Sequence, residues 1–283
     1  MRELIDRAEV LIEALPYIQR FADKVLVIKY GGNAMAEPEL QASFAADVVL
    51  LRCIGMRPVV VHGGGPQIAQ TLERLGVQST FVNGLRVTDD ETMEVVEMVL
   101  GGKVNRAIVA LIQAAGGRAI GLTGSDDNMI RVTQRLVEDR DLGRVGRVVS
   151  LDPAPILAVS AAGFIPVIAP IGVDATGVSH NVNADEAAGA IAQAMGAEKL
   201  VLLTDVAGVL DSQGELIRQL DVREARKHME EGTIRDGMIP KVECCTAALE
   251  GGVKNAHIID GRVLHALLLE IFTDGGVGTL LAL

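Results

Sequence analysis

The sequence predicts an α/β fold with a mostly parallel sheet and helices over both of its faces. Three observations carry that expectation. Strand-like apolar runs recur six times along the 283 residues, helical patterns fall between most of them, and the runs are near-continuously apolar rather than alternating. Strands buried on both faces read that way. With 49% hydrophobic residues but no Trp, 2 Tyr and 5 Phe, aliphatic side chains must fill the interior.

At the start of the chain Leu4, Ala8, Leu11, Leu15 and Ile18 recur every three or four residues, so residues 1–22 open with an amphipathic helix. Its stripe must be buried on its own domain or against another subunit. The first strand is VLVIK (25–29). RPVVV (57–61) is the second, and the helix after it, 65–75, sets Ile68, Leu72 and Leu75 on one face. A longer helix over 89–114 aligns Met93, Val96, Leu100, Val104, Ile108 and Leu111. AIGL (119–122) is the third strand, and the charged, β-prone segment 128–149 reads as a hairpin or flap at a lobe edge. Residues 153–173 carry no charge and are long enough to span a bilayer. Four prolines and two internal glycines divide them into a short helix, a turn and the strand IPVIA (165–169), so they are core. A boundary near 175–180 separates a lobe over 23–179 from one over 180–283. The second lobe holds an Ala-rich helix after Asp185, KLVLL (199–203), a helix aligning Met238, Val242, Cys245 and Leu249, and AHII (256–259).

Composition excludes several functions. A net charge of −11 and few aromatics argue against nucleic-acid binding, which needs basic stripes or stacking platforms. Cysteines at 53, 244 and 245 form no CxxC pair, so no disulfide framework is expected and a reducing, cytoplasmic compartment fits. Cys244 and Cys245 read as small buried apolar residues. The N-terminus has the pattern of neither a secretory nor a transit peptide. The histidines at 62, 180, 228, 257 and 265 lack zinc-site spacing.

The chemistry concentrates where glycines follow strands. VVVHGGGPQIAQTL (59–72) runs from strand to three glycines, Pro66 and a helix. Proline suits a first helical turn, and Gly63, Gly64 and Gly65 let an anion approach backbone N–H groups at the positive end of the helix dipole. A plain tight turn would need fewer glycines. Neither a P-loop nor a GxGxxG fingerprint is present, which disfavours a standard P-loop enzyme and a dinucleotide-dependent oxidoreductase. Lys29 ends the first strand just before Gly31 and Gly32, at the carboxyl edge where open α/β sheets bind ligands. Asn181, Asn183 and Asp185 stand on alternate positions; one suffices as a helix cap, and the set could also order a ligand. Lys241 follows Pro240 in a first helical turn, where a cation opposes the dipole unless both hold an anion, the alternative being a solvent-facing lysine. Arg86 could clamp a carboxylate. Asp205, next to Thr204 at a strand end, suits a nucleotide or metal contact. Two lysines, N–H donors and no evident general base suit phosphoryl transfer to an acceptor that is already ionised.

KYGGNAM, VHGGGPQI, NGLRVTD, NVNADEAA, LLTDVAGVL, GMIPKV and HIIDGRVLHALLLEIFTDGGVGT, in that order over nearly the whole chain, resemble the N-acetylglutamate kinases of the amino-acid kinase family. The resemblance implies a three-layer αβα sandwich, an N-terminal lobe for the amino-acid substrate and dimer contact, and a C-terminal lobe for ATP. It implies transfer of the ATP γ-phosphoryl group to the side-chain carboxylate of N-acetyl-L-glutamate in arginine biosynthesis. Lys29 and Lys241 would then stabilise phosphoryl charge and Asp185 would orient them. Gly31, Gly32 and the Gly63–Gly65 amides would cradle phosphate and substrate. Arg86 and Asn181, with Asn183 beside them, would hold the substrate, and Thr204 and Asp205 would lie toward the nucleotide. Mg²⁺ would bridge phosphates without a dedicated protein cage. The N-terminal helix resembles the extension that interlaces dimers into a hexamer in arginine-inhibited members. In those members the positions of His257, Glu270 and Gly276 help bind L-arginine. Ser125 departs from the many relatives that carry lysine there. A sister kinase on aminoadipate, aspartate or glutamate and a non-catalytic nucleotide-binding relative are the rival readings. Docking of a nitrogen-signalling protein is not readable from the residues.

Overall fold

The structure, a computed structural model, describes residues 2–137, 140–273 and 276–283. Helix α1 (Arg2–Phe21) leads into β1 (Val25–Tyr30), α2 (Pro38–Cys53), β2 (Arg57–His62) and α3 (Gly65–Leu75). A short hairpin, β3 (Phe81–Val82) and β4 (Leu85–Arg86), precedes α4 (Asp90–Glu97), a π-helical stretch at Met98–Val104, and α5 (Asn105–Ala114). Then come β5 (Ala119–Thr123), the long hairpin β6 (Ile130–Val137) and β7 (Arg140–Leu151), α6 (Ala154–Ala161), β8 (Ile165–Ala169), β9 (Ile171–Val173) and β10 (Ser179–Val182). The remainder is α7 (Ala184–Ala194), β11 (Lys199–Thr204), β12 (Gln219–Asp221), α8 (Val222–Glu230), α9 (Ile239–Glu250), β13 (Asn255–Asp260), α10 (Ala266–Ile271) and β14 (Thr279–Ala282).

All six apolar runs are strands of one eight-stranded sheet, ordered β12-β14-β13-β11-β1-β2-β8-β5. From β13 to β5 every neighbouring pair is parallel; β14 runs antiparallel to β13 and parallel to the edge strand β12. Successive side chains on a strand face opposite ways, and the core splits accordingly. Val27, Val59, Val61, Leu200 and Leu202 pack with α7 and α9, whereas Ile28, Val60, Val201 and Leu203 pack with α2, α3 and α5. Each such buried side chain contributes about 1.5–3 kcal/mol. The result is the three-layer αβα arrangement.

The segment predicted as a flap is a hairpin, but it also closes a small barrel, β10-β7-β6-β9, beside the main sheet. The segment 175–180 spans the turn between β9 and β10, which pair antiparallel. The predicted helix over 89–114 is interrupted by its π-helical stretch. A π turn takes up an extra residue and rotates the helix beyond it, so at the C-terminal end Ile112 is fully buried while Leu111 is half-buried. Leu75, predicted on the apolar face of α3, is exposed.

In α1 the apolar stripe is open: Leu11 is 72% and Leu15 44% exposed, with Ile5, Val10 and Ile12 exposed beside them. Leu4 and Ala8 lie outside the residues whose side chains are described. Among the described residues, no helix is long and apolar enough to cross a membrane.

Candidate functional site

Lys29 comes second to last in β1 and shares the side of Val27, so it points toward α7 rather than toward solvent. The helix meets it with a carboxylate. Lys29 Nζ lies 3.0 Å from Asp185 Oδ1, and Lys241 Nζ donates to Asp185 Oδ2 at 2.8 Å. One buried carboxylate thus joins a lysine from the sheet to a lysine from the first turn of α9. Burial alone would push the Asp185 pKa up, but the two ammonium groups outweigh it and hold the carboxyl below its ordinary range.

Small residues make this geometry possible. A Cβ on Gly31 would sit 3.1 Å from Lys29 Nζ and 3.2 Å from Lys29 Cε, so only glycine leaves the lysine its place. Gly32 adopts φ +67, the left-handed region that glycine enters without strain. In α7 a Cβ on Gly189 would come within 2.9 Å of Cys244 Sγ; its absence lets α7 and α9 approach and brings Asp185 to Lys241. Cys245 is buried as predicted, and Cys244, half-buried, donates its thiol to the Asp185 carbonyl at 2.9 Å. Burial pushes the Cys244 thiol up to about 12, leaving it inert as a nucleophile.

The glycine loop after β2 lies against the end of β1, because Gly63 N–H donates to the Tyr30 carbonyl at 2.8 Å. Gly64 and Gly65 open α3, whose first N–H groups have no partner within the helix. Arg86 reaches this loop from β4, donating to the Gly65 carbonyl at 3.1 Å and to Ser79 Oγ, with its guanidinium 4.6 Å over the Phe81 ring. These partners are all neutral, and burial pushes the Arg86 pKa down. Asn181 Nδ2 lies 3.4 Å from Thr88 Oγ1. Asn183 serves as the cap of α7, its Oδ1 accepting from Asp185 N and Glu186 N at 2.8 and 3.2 Å. Asn183, Asp185 and Lys241 line a groove of about 1560 Å³ that also reaches Asn83, Arg135 and Glu186.

Thr204 and Asp205 stand at the carboxyl end of β11 next to β1, outside the lining of that groove. Thr204 pairs in register with Asp260, whose carboxylate is held by Arg262 at 2.8 and 2.9 Å. Ser125 lies in the turn after β5, its hydroxyl 2.7 Å from that of Thr123. Among the described residues, no group of three or more His, Cys, Asp or Glu could hold a metal ion.

A second cluster lies at the opposite, amino end of the central strands. His257 Nδ1 is 2.6 Å from Glu270 Oε1 and its Nε2 is 3.0 Å from Lys199 Nζ. Burial keeps the imidazole neutral by pushing its pKa down. Glu270, although burial opposes it, is held below its ordinary range by the His257 hydrogen bond. A carboxylate, a neutral imidazole donating through Nδ1 and an ammonium donating to Nε2 therefore form one chain. Gly276 packs on it at φ +54, where a Cβ would lie 2.8 Å from Glu270 Oε2. Lys199 Nζ also lies 5.3 Å from the Phe21 ring, at the end of α1. Sequence reasoning missed Lys199; a lysine opening an otherwise apolar strand was its only signal.

Comparison with known proteins identifies the family of the chain. The chain matches the amino acid kinase family over residues 24–260. Acetylglutamate kinase of Acinetobacter baumannii (strain AYE) is 55% identical over 98% of this chain and 95% of its own length. Acetylglutamate kinase of Geobacter sp. (strain M21) is 54% identical over 99% of each. Among solved structures, N-acetylglutamate synthase from Neisseria gonorrhoeae, complexed with coenzyme A and N-acetyl-glutamate, superposes with a TM-score of 0.87 at 27% identity. That match covers 98% of this chain but 63% of the synthase. Carbamate kinase from Giardia lamblia bound to AMP-PNP shares the fold, with a TM-score of 0.65 at 16% identity over 92% of this chain and 99% of its own. The chain belongs to the amino acid kinase family, and its curated relatives set it beside the acetylglutamate kinases.

Proposed function

We propose that this protein transfers the γ-phosphoryl group of ATP to the side-chain carboxylate of N-acetyl-L-glutamate, giving N-acetyl-L-glutamyl 5-phosphate. The observation that carries this reading is the pair of lysines sharing Asp185, with Asp185 and Lys241 lining the groove, in a chain 55% identical to acetylglutamate kinases. A phosphoryl group in flight spreads negative charge over its equatorial oxygens, and catalysis consists mostly of neutralising and positioning it. Lys29 and Lys241 supply two cations from different layers, and the amides after Gly31 and at Gly64 and Gly65 supply neutral donors. The acceptor is a carboxylate, ionised at neutral pH, so no group has to remove a proton from it. Asp185 is accordingly an orienting anion. Both of its oxygens are occupied by lysines, so this donor set suits phosphate oxygens, and Mg²⁺ would arrive on the nucleotide to offset phosphate charge. Arg86, whose partners among the described residues are neutral, would take the substrate α-carboxylate, and Asn181 its acetamido group, with Asn183 in the same wall. Thr204 and Asp205 would flank the nucleotide.

The reading extends to regulation. L-arginine would bind at the His257–Glu270–Gly276 cluster, which joins α10 to the end of α1 through Lys199 and Phe21. The open stripe at Leu11 and Leu15 would be covered by a second copy, joining dimers into a hexamer. The N-acetylglutamate synthase from Neisseria gonorrhoeae has also been solved with L-arginine, at 26% identity to this chain.

The test is ATP-dependent hydroxamate formation over a panel of N-acetylglutamate, glutamate, aspartate and aminoadipate, with Lys241→Met as control. Turnover confined to N-acetylglutamate and cut at least a hundredfold in the variant is expected. Preference for another carboxylate, or a variant near wild-type kcat, overturns the assignment. Removing residues 1–20 should lower the assembly mass and abolish arginine inhibition; retention of both refutes the regulatory part.

A further inference from the structure

His62 is fully buried at the end of β2, one residue before the Gly63–Gly65 loop, and has no part in the phosphoryl-transfer chemistry proposed for the lysines. Both of its ring nitrogens are nevertheless engaged. Nδ1 lies 2.8 Å from the Gly63 carbonyl, and Nε2 lies 3.2 Å from Asn105 Nδ2. The Asn105 amide nitrogen also faces the carbonyls of Val167 at 2.9 Å and Leu122 at 3.3 Å. Two carbonyl neighbours demand an NH₂ group there, and an amide nitrogen cannot accept a hydrogen bond from the ring, so Nε2 cannot carry the proton. The imidazole must then accept at Nε2 and carry its proton on Nδ1, where it can donate to Gly63. Burial pushes its pKa down to about 4, consistent with a ring that stays neutral.

The consequence falls on the anion cradle. The Gly63 carbonyl and the Gly64 N–H belong to one planar trans peptide unit and point in opposite directions. That unit lies between two glycines, with no Cβ on either side to resist rotation. Fixing the carbonyl inward therefore fixes the Gly64 N–H outward, away from the imidazole. The surroundings are built for this brace. Asn105 is the first residue after the π-helical stretch, and a Cβ on Gly121 would overlap its Oδ1. A Cβ on Gly64 would overlap Leu100 Cδ2 from the same stretch.

We propose that His62 is a positioning residue for phosphoryl transfer, holding the Gly63–Gly64 peptide so that its N–H faces the phosphoryl group. The inference rests on the kinase reading of the groove. Two substitutions separate the roles of the ring nitrogens. His62→Asn keeps an amide donor near the Nδ1 position, whereas His62→Gln keeps a group near Nε2 and loses that donor. A displaced donor of this kind costs on the order of 10–100-fold in rate. His62→Gln should lose about that much kcat with KM for ATP and N-acetylglutamate within about threefold, while His62→Asn stays within about fivefold of wild type. Equal losses in the two variants, or an unchanged kcat in His62→Gln, overturn the proposal. Should His62→Gln fail to fold, Asn105→Ser removes the donor that fixes the tautomer, and a kcat unchanged there overturns it equally. Nitrogen NMR of the histidine-labelled full chain gives an independent readout. A protonated Nδ1 and an accepting Nε2, unchanged between pH 7.5 and 5.5, are expected, and the opposite tautomer refutes the brace. If the wild-type enzyme forms no hydroxamate from N-acetylglutamate, the function reading has failed and the NMR result still judges the geometry.

Discussion

Asp185→Asn isolates what a carboxylate does between two lysines. The change keeps the shape of the side chain and removes its charge, leaving Lys29 and Lys241 facing a neutral amide at contacts that measured 3.0 and 2.8 Å. With an effective dielectric of about 20, each ion pair at such distances carries roughly 5–6 kcal/mol of attraction. Desolvation of the three groups offsets much of that, and breaking a buried pair by removing one partner typically costs about 3–5 kcal/mol. For a chain of this size that corresponds to a melting temperature lowered on the order of 10 °C. The sign with pH is set by the direction of the shift. Asp185 is held below its ordinary range in the folded state, so its contribution is present above about pH 4 and disappears as pH falls through the folded value. The penalty should therefore be constant between pH 5.5 and 8. Nucleotide should restore part of it, since phosphate replaces the missing anion, and ATP affinity should stay equal or rise while kcat falls at least a hundredfold. Differential scanning fluorimetry with and without ATP, together with hydroxamate turnover, measures all three. A variant with normal kcat, or one that loses ATP binding along with turnover, would refute the orienting role.

Gly31→Ala puts a Cβ 3.1 Å from Lys29 Nζ; the flexible lysine end yields, so kcat should fall about 10–100-fold with the melting temperature within a few degrees of wild type. Normal kcat would mean that Lys29 needs no cleared space. Glu270→Gln removes the charge that engages His257 at 2.6 Å, and the arginine concentration for half-inhibition should rise at least tenfold; an unchanged arginine response removes the effector assignment. Acid stability tests His62. Its pKa is lowered from 6.5 to about 4, so its contribution is complete above pH 6.5 and declines as pH falls toward 4. Between pH 7.5 and 5 wild type should lose about 2 kcal/mol more than His62→Asn in urea unfolding, and parallel losses refute a buried neutral imidazole.

How much of this was legible in the residues depended on the kind of signal. Continuous apolar runs identified the six main strands because burial on both faces leaves no other pattern. The edge strand β12, its neighbour β14 and the barrel strands β9 and β10 are three or four residues long, too short for periodicity to register. Lys29 and Lys241 were visible because each breaks a local rule, a charge ending a buried strand and a cation at a helix N-terminus. That both rule-breakers share Asp185 was implied by the family resemblance alone; spacing and periodicity do not carry it, since it depends on how closely α7 approaches α9. Asn183 was visible as a cap and serves as one. Lys199, His62 and Asn105 carried weaker signals, because a lone polar residue on an apolar strand or helix acquires meaning only from what the other layers bring to it.

The glycines connect these levels. Gly31, Gly64, Gly121 and Gly189 lie on four different segments, and a Cβ at each would meet Lys29, Leu100, Asn105 and Cys244 respectively. None of the four needs left-handed backbone, so conformational freedom does not explain them. Each instead removes one methyl-sized volume beside a group that forms or braces the site. For Gly121 in β5 and Gly189 in α7, glycine costs roughly 0.5–1 kcal/mol relative to alanine, and a fold selected for stability alone would fill such positions. The loop lysine contact, the inward Asn105 amide and the close approach of α7 to α9 all require the space left open. Glycines inside regular elements with φ in the ordinary range, Gly121 and Gly189 among them, therefore mark in the structure where close approach is needed, and they lead to Asn105 and to the partner helix of Asp185.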